Sequence, residues 1–180
     1  MPEDIEIFEL KRMDLRGATV IDGFPSVGLV SSIVANYLIN TLDLTQVGVM
    51  DSVFFPTVSL VREGLPHNPV RIYAGEKVGS EEKSSDQLVV FISEFQPPPN
   101  LVKPIACAML DWAEDQRCKM MVSPEGLVID TESIEMNDDD RAKLGVYGVG
   151  STEWMREELK KSGVSEFTEG VITGVAGVLL

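Results

Sequence analysis

The chain has 180 residues and a mass of 19.7 kDa, 44% hydrophobic and 24% charged, enough for one α/β domain, or a domain with a small appendage, with no disulfide or metal staple. Fifteen basic against 29 acidic residues leave a net charge of −14, which speaks against a nucleic-acid surface and against anionic membrane. No apolar run approaches a spanning helix, Met1–Leu10 lacks the basic start and apolar core of a signal peptide, and Cys107 and Cys118 read as thiols in a reducing cytoplasm.

Ala18–Ile21 is the first strand candidate, ending at Asp22-Gly23. A helix follows from Val27 to about Leu42, with Val30, Ile33, Val34, Tyr37 and Leu38 at helical spacing. Gln46–Met50 is a short strand ending at Asp51-Ser52. Val58–Val61 and Pro69–Ala74 read as two strands joined by the loop Arg62–Pro66. Gly75–Asp86 is charged and polar, a solvated hairpin or loop. Leu88–Ile92 is the strongest buried strand, followed by Ser93-Glu94-Phe95 and the rigid connector Pro97-Pro98-Pro99.

Asn100 is positioned to cap the next helix, whose stripe is Val102, Ile105, Ala106, Met109, Leu110 and Ala113. Lys119–Val122 is a further strand, ending at Ser123-Pro124-Glu125-Gly126. Ile134–Arg141 is an acidic loop without the spaced oxygens of a calcium site. After the strand Val146–Val149, Ser151 or Thr152 caps a helix closed by Gly163, with Glu157 and Lys161 paired. Val171–Thr173 reads as a strand and Gly174–Leu180 as the opening of a helix. Strands alternating with helices, with continuous apolar runs as the central strands, predict an α/β domain with a mostly parallel mixed central sheet covered on both faces.

Three patterns bear on chemistry. Gly23–Gly28 has the glycine spacing of a phosphate loop, but Leu29 stands where the lysine belongs, and a tight strand-to-helix turn explains both glycines. Gly148, Gly150, Ser151 and Thr152 precede a helix and are anion-binding candidates, although an N-cap turn accounts for them too. Asp22, Asp51, Glu94 and Glu125 each fall at the carboxyl end of an expected strand, where open α/β sheets place their ligand crevice. Convergence of the four would suit a cation or acid–base work; otherwise each simply accepts loop amides. The single histidine, His67, lies in a loop between two prolines, so a His-based triad or zinc site has little to draw on.

Gly23-Phe24-Pro25-Ser26-Val27-Gly28-Leu29-Val30 with Ala35–Leu38 opens a series of motifs. Val61–Gly64, Arg71–Gly75, Ser93–Phe95, Glu125–Leu127, Tyr147–Ser151 and Ile172–Gly177 follow in order. Together they resemble the proteasome assembly chaperone family, second-subunit type, as found in archaea, over nearly the whole chain. The resemblance implies a three-layer α/β/α domain of phosphorylase/hydrolase-like architecture, homo-oligomers, and proteasome α-subunits as clients. It supplies no catalytic residues, metal or cofactor. Two departures stand out: family members usually continue for another strand and helix, and Val178-Leu179-Leu180 has no penultimate tyrosine. The expectation is thus a single α/β domain over 1–180, shortened at its end, acting as a non-enzymatic chaperone. The alternative is a small-molecule hydrolase, phosphorylase or ATP-grasp-like ligase working through the strand-end carboxylates.

Overall fold

The computed structural model describes residues 5–75, 87–127 and 145–180. Its contacts group into two units: one reaches Gly126 and resumes at Thr173–Leu179, the other comprises Leu127–Ile172. The first unit contains β1 (Glu6–Glu9), β2 (Thr19–Gly23), β3 (Thr45–Asp51), β4 (Leu60–Arg62), β5 (Leu65–His67), β6 (Val70–Ala74), β7 (Leu88–Ser93) and β8 (Met120–Val122). Its helices are α1 (Val30–Thr41), entered through a 3-10 turn at Val27–Leu29, and α2 (Pro99–Asp115). In chain order α3 (Glu153–Lys161) belongs to the second unit and α4 (Gly174–Leu179) returns to the first.

Six strands form one sheet in the order β1-β3-β6-β7-β2-β8, while β4 and β5 form a separate hairpin. β2, β3, β7 and β8 run one way, β1 and β6 the other. The sheet is therefore mixed, with parallel pairing concentrated at β7, β2 and β8. Strand alternation sends Val20, Ile72, Val89 and Phe91 into one core with Ile105 and Met109 of α2 and Val175 of α4. Ile21, Val90 and Ile92 face the other way, into a second core with Ala35 and Ile39 of α1. Helix, sheet and helix thus make three layers in this unit. In the second unit, β9 (Tyr147–Gly148) and β10 (Ser165–Glu166) pair in parallel, with α3 as the crossover between them.

Several elements differ from the sequence expectation. Residues 6–9 form an antiparallel edge strand on β3, which the acidic leader did not suggest because only one edge of it is paired. The stretch Arg62–Pro66 is no plain loop. Glu63 (φ 52°) and Gly64 (φ 79°) both take left-handed conformations, closing β4 onto β5 with a two-residue turn. Pro98, not Asn100, occupies the N-cap of α2, so its first turn begins at a proline that has no amide hydrogen to satisfy. Lys161 pairs with Glu158 at 2.7 Å instead of Glu157. Val171–Thr173 is not a strand; it lies just after Gly170 and just before Gly174, both at positive φ. Gly174–Leu179 is helical as expected and packs on α2 with Val175 and Ala176 buried. The expected loops over 76–86 and 134–141 lie outside the described residues.

Candidate functional site

β2 leads into α1 on one face of the sheet, and its neighbour β7 leads into α2 on the other. The carboxyl ends of these two parallel strands are the point where an α/β sheet opens a crevice. All four strand-end carboxylates lie along this edge, but the structure divides them.

Asp22 is buried on the α2 side of β2. One carboxylate oxygen accepts the Phe24 amide at 3.0 Å and the other accepts the Ser123 hydroxyl at 3.0 Å. Burial dominates these bonds and pushes its pKa up to about 6. Glu125 is close enough to feel the Asp22 charge; burial raises its pKa first, a Ser26 hydrogen bond opposes this, and Asp22 raises it further. Asp22 and Glu125 are thus brought together.

Ser26 continues this network. Its hydroxyl lies 2.6 Å from the Ser31 hydroxyl, which donates to the Phe24 carbonyl at 2.6 Å. Ser26 thus links Glu125 to the Ser31 hydroxyl and, through it, to the Phe24 carbonyl.

Glu94 belongs to a different cluster, on the α1 side. It accepts from the buried Arg71 at 2.5 Å and lies 3.9 Å from Arg62. Arg71 also donates to the Asn68 carbonyl at 2.8 Å, and Arg62 reaches Asn36 of α1 at 3.3 Å. Asp51 stands apart: three strand spacings, about 14 Å, separate β3 from β2. It is exposed and accepts the Ser52 amide at 2.9 Å. The four carboxylates therefore do not converge. His67 pairs with Leu60 in the β4–β5 hairpin.

In the second unit, Thr152 caps α3 by accepting the Met155 amide at 3.2 Å. The Gly150 carbonyl accepts the Arg156 guanidinium at 2.9 Å, and a Cβ at Gly150 would lie 2.9 Å from Arg156 N. A helix cap accounts for Thr152. Gly148 is held by packing, since a Cβ there would meet Leu159 at 2.9 Å and Val164 at 3.0 Å. Ser151 is exposed at the turn.

Beside Asp22 and Glu125 the chain packs closely: Phe24 lies in the core shared with α2, and Ser31 is fully buried. A Cβ at Gly23 would lie 2.5 Å from both Ala35 Cβ and the Phe91 carbonyl, and one at Gly126 would overlap the Val27 carbonyl. The glycines of the 23–28 turn and the 123–126 segment thus serve close packing, and Gly28 also supplies a left-handed turn at φ 67°. A cavity of about 10 Å³ lies between β1 and α2, bounded by Phe8, Val47 and Trp112; it has room for one water and none of the four carboxylates lines it. Among the described residues, no three His, Cys, Asp or Glu side chains gather as metal ligands. Cys107 and Cys118 are free thiols, and burial pushes Cys118 up to about 11, away from nucleophilic use.

Arg71, Ser26, Ser31 and Ser123 carry the geometry of this edge, and sequence reasoning did not single them out. Arg71 had a signal: a lone cation in the apolar run Val70–Ala74 must find a partner if the run is buried.

Comparison with known proteins places this architecture. A Pyrococcus furiosus protein, PbaA, described as an archaeal homolog of proteasome-assembly chaperone, is 29% identical, with a TM-score of 0.73 over 97% of this chain and 69% of its own. PbaB from the same organism, described as an archaeal proteasome activator, is 21% identical and shares the fold, with a TM-score of 0.76 over 99% of this chain and 74% of its own. A protein of Methanocaldococcus jannaschii is 24% identical over the whole chain, which spans 66% of that relative's length. The PAC2 family model matches residues 20–180, and the chain belongs to the PAC2 family.

Proposed function

We propose that this protein is a non-enzymatic assembly chaperone that self-associates and binds proteasome α-subunits in the cytoplasm. The observation that carries this reading is the likeness to PbaA over nearly the whole chain at 29% identity. The close packing of the Gly23 turn and Gly126 beside Asp22 and Glu125 supports it, since a chaperone works through its outer faces. A net charge of −14 favours a client that presents a basic face and disfavours nucleic acid. Among the described residues no helix is long and apolar enough to cross a membrane.

A small-molecule enzyme would have to work through Asp22 and Glu125, the two strand-end carboxylates that meet. Both Asp22 oxygens already hold partners, the Phe24 amide and the Ser123 hydroxyl, and the residue is 1% exposed. The experiment that separates the readings is affinity capture from native lysate of the source organism followed by mass spectrometry. Enrichment of proteasome α-subunits supports the chaperone. Their absence alongside a small-molecule turnover abolished by Asp22→Asn favours the enzyme.

A further inference from the structure

We infer that the segment 123–126 is an acid-tightened latch on the junction of β2 and α1: two carboxyl–serine bonds crossed between these segments hold it shut, and ionisation of the two acids loosens it. The end of β2 supplies Asp22 and the turn after it Ser26, while the segment supplies Ser123 and Glu125. Each acid takes the serine of the other side. The Ser123 hydroxyl donates to Asp22 at 3.0 Å, and Ser26 bonds Glu125. Gly126 then lies so close to the turn that a Cβ would stand 2.2 Å from the Val27 carbonyl. The latch fastens the end of β8, a strand of three residues at the edge of the described sheet, paired there with β2 alone. Such an edge opens at lower cost than the sheet interior.

The elements packed around the two acids bring no counter-charge to them. β2, α1, β7, β8 and α4 carry no charged residue besides Asp22, and the inward positions of α2, among them Leu101, Ile105 and Met109, are apolar. Lys103, Asp111, Glu114 and Asp115 of α2 are exposed, Lys119 lies at the far end of β8 beside Ala18, and Glu94 is taken by Arg71 on the other face. The remaining titratable groups of these elements are Cys107 of α2 and the exposed Tyr37 of α1, neither of them a cation. Two ionised carboxylates here repel each other, and Asp22, 1% exposed, loses its hydration; protonation removes both costs. The raised pKa of each acid, about 6 for Asp22, agrees with this arrangement. Opening lets Asp22 ionise nearer its ordinary 3.8, so the closed latch holds the proton more tightly. The latch is tightest below about pH 4, loosens as pH rises toward about 6 and stays loose at neutral pH.

The test is hydrogen–deuterium exchange of the full chain between pH 4 and pH 7, read by mass spectrometry and corrected for the intrinsic exchange rate at each pH, for the wild type, Asp22→Asn and Glu125→Gln. Peptides over 119–126 report the latch, and peptides over β7 report global unfolding. The expected wild-type result is a 119–126 segment less protected than β7 at pH 7, whose protection rises by about tenfold or more on acidification to pH 4. Asp22→Asn is expected to abolish that rise and Glu125→Gln to reduce it. Glu125 is the more exposed acid, so Glu125→Gln carries the test if Asp22→Asn does not fold. Equal protection of 119–126 and β7 at every pH means that the segment opens only with the whole fold, and overturns the latch. Protection of 119–126 that is independent of pH, or a rise that persists unchanged in the folded variants, overturns it too.

Discussion

The Arg71 guanidinium, sealed in β6 and only 1% exposed, lies 2.5 Å from the Glu94 carboxylate just past β7. A buried guanidinium needs a partner of opposite charge, because taking it out of water unpaired costs several kcal/mol. Glu94 is thus the counter-charge that lets Arg71 stand in an apolar strand.

The expected consequence is structural. Glu94→Ala leaves Arg71 buried and unpaired, and destabilises the chain by about 3 kcal/mol. Arg71→Met, which removes the charge and keeps the volume, costs less than Glu94→Ala. Urea unfolding of the two variants and of the double variant checks this. A Glu94→Ala protein as stable as the wild type contradicts it.

Asp22 makes stability depend on pH. Its pKa rises from 3.8 unfolded to about 6 folded, so the native state holds the proton more tightly. The stabilisation is fully present below about 4 and is lost as pH rises through about 6, a loss on the order of 3 kcal/mol at neutral pH. Asp22→Asn keeps an oxygen for the Phe24 amide and does not ionise. Its stability is expected to stay nearly flat between pH 4 and 7 where the wild type declines, measured by thermal unfolding across that range. Parallel curves for the two proteins contradict the assignment.

Glu125 and Ser31 give a second test. Burial raises the Glu125 pKa, so Glu125→Gln, which has no charge to bury, is expected to match or exceed the wild type at pH 7. Ser31→Ala removes a buried hydroxyl and leaves the Phe24 carbonyl without it, at a cost of about 1–2 kcal/mol. Denaturant midpoints of both variants decide the point, and a Glu125→Gln protein weaker than Ser31→Ala contradicts it.

The tight turn before α1 predicts a steric outcome. Gly23→Ala sets a methyl 2.5 Å from Ala35 Cβ and from the Phe91 carbonyl, and neither backbone nor helix can yield cheaply. The expected loss is about 3 kcal/mol or more. The same turn carries Leu29 in place of a phosphate-loop lysine, so calorimetry with ATP and magnesium is expected to show no micromolar binding. Micromolar binding that is lost on Gly28→Val contradicts this reading of the loop.

How much of this was legible in the sequence follows from what each signal depends on. Leu88–Ile92 and Pro99–Asp115 announce themselves because apolar periodicity is local. The three-layer order came from resemblance of motifs, since pairing between β6 and β7 or β2 and β8 joins distant segments. β1 and the β4–β5 hairpin escaped because an edge strand has little alternation and a Glu-Gly turn lacks the usual Asn or Asp. At the site, chain position gave the four carboxylates, but facing did not. Asp22 and Glu94 sit on neighbouring strands and point to opposite faces of the sheet. That separation depends on strand order and register, which composition does not encode.

The proposed chaperone function requires binding to proteasome subunits without turnover. The most direct measurement mixes the purified chain with purified α-subunits from the same organism and follows particle assembly on native gels over time. The expected result is a complex of the two and faster formation of α-subunit assemblies, unchanged by Asp22→Asn and needing no nucleotide. Absence of any complex, with an assembly rate equal to that of α-subunits alone, would contradict it.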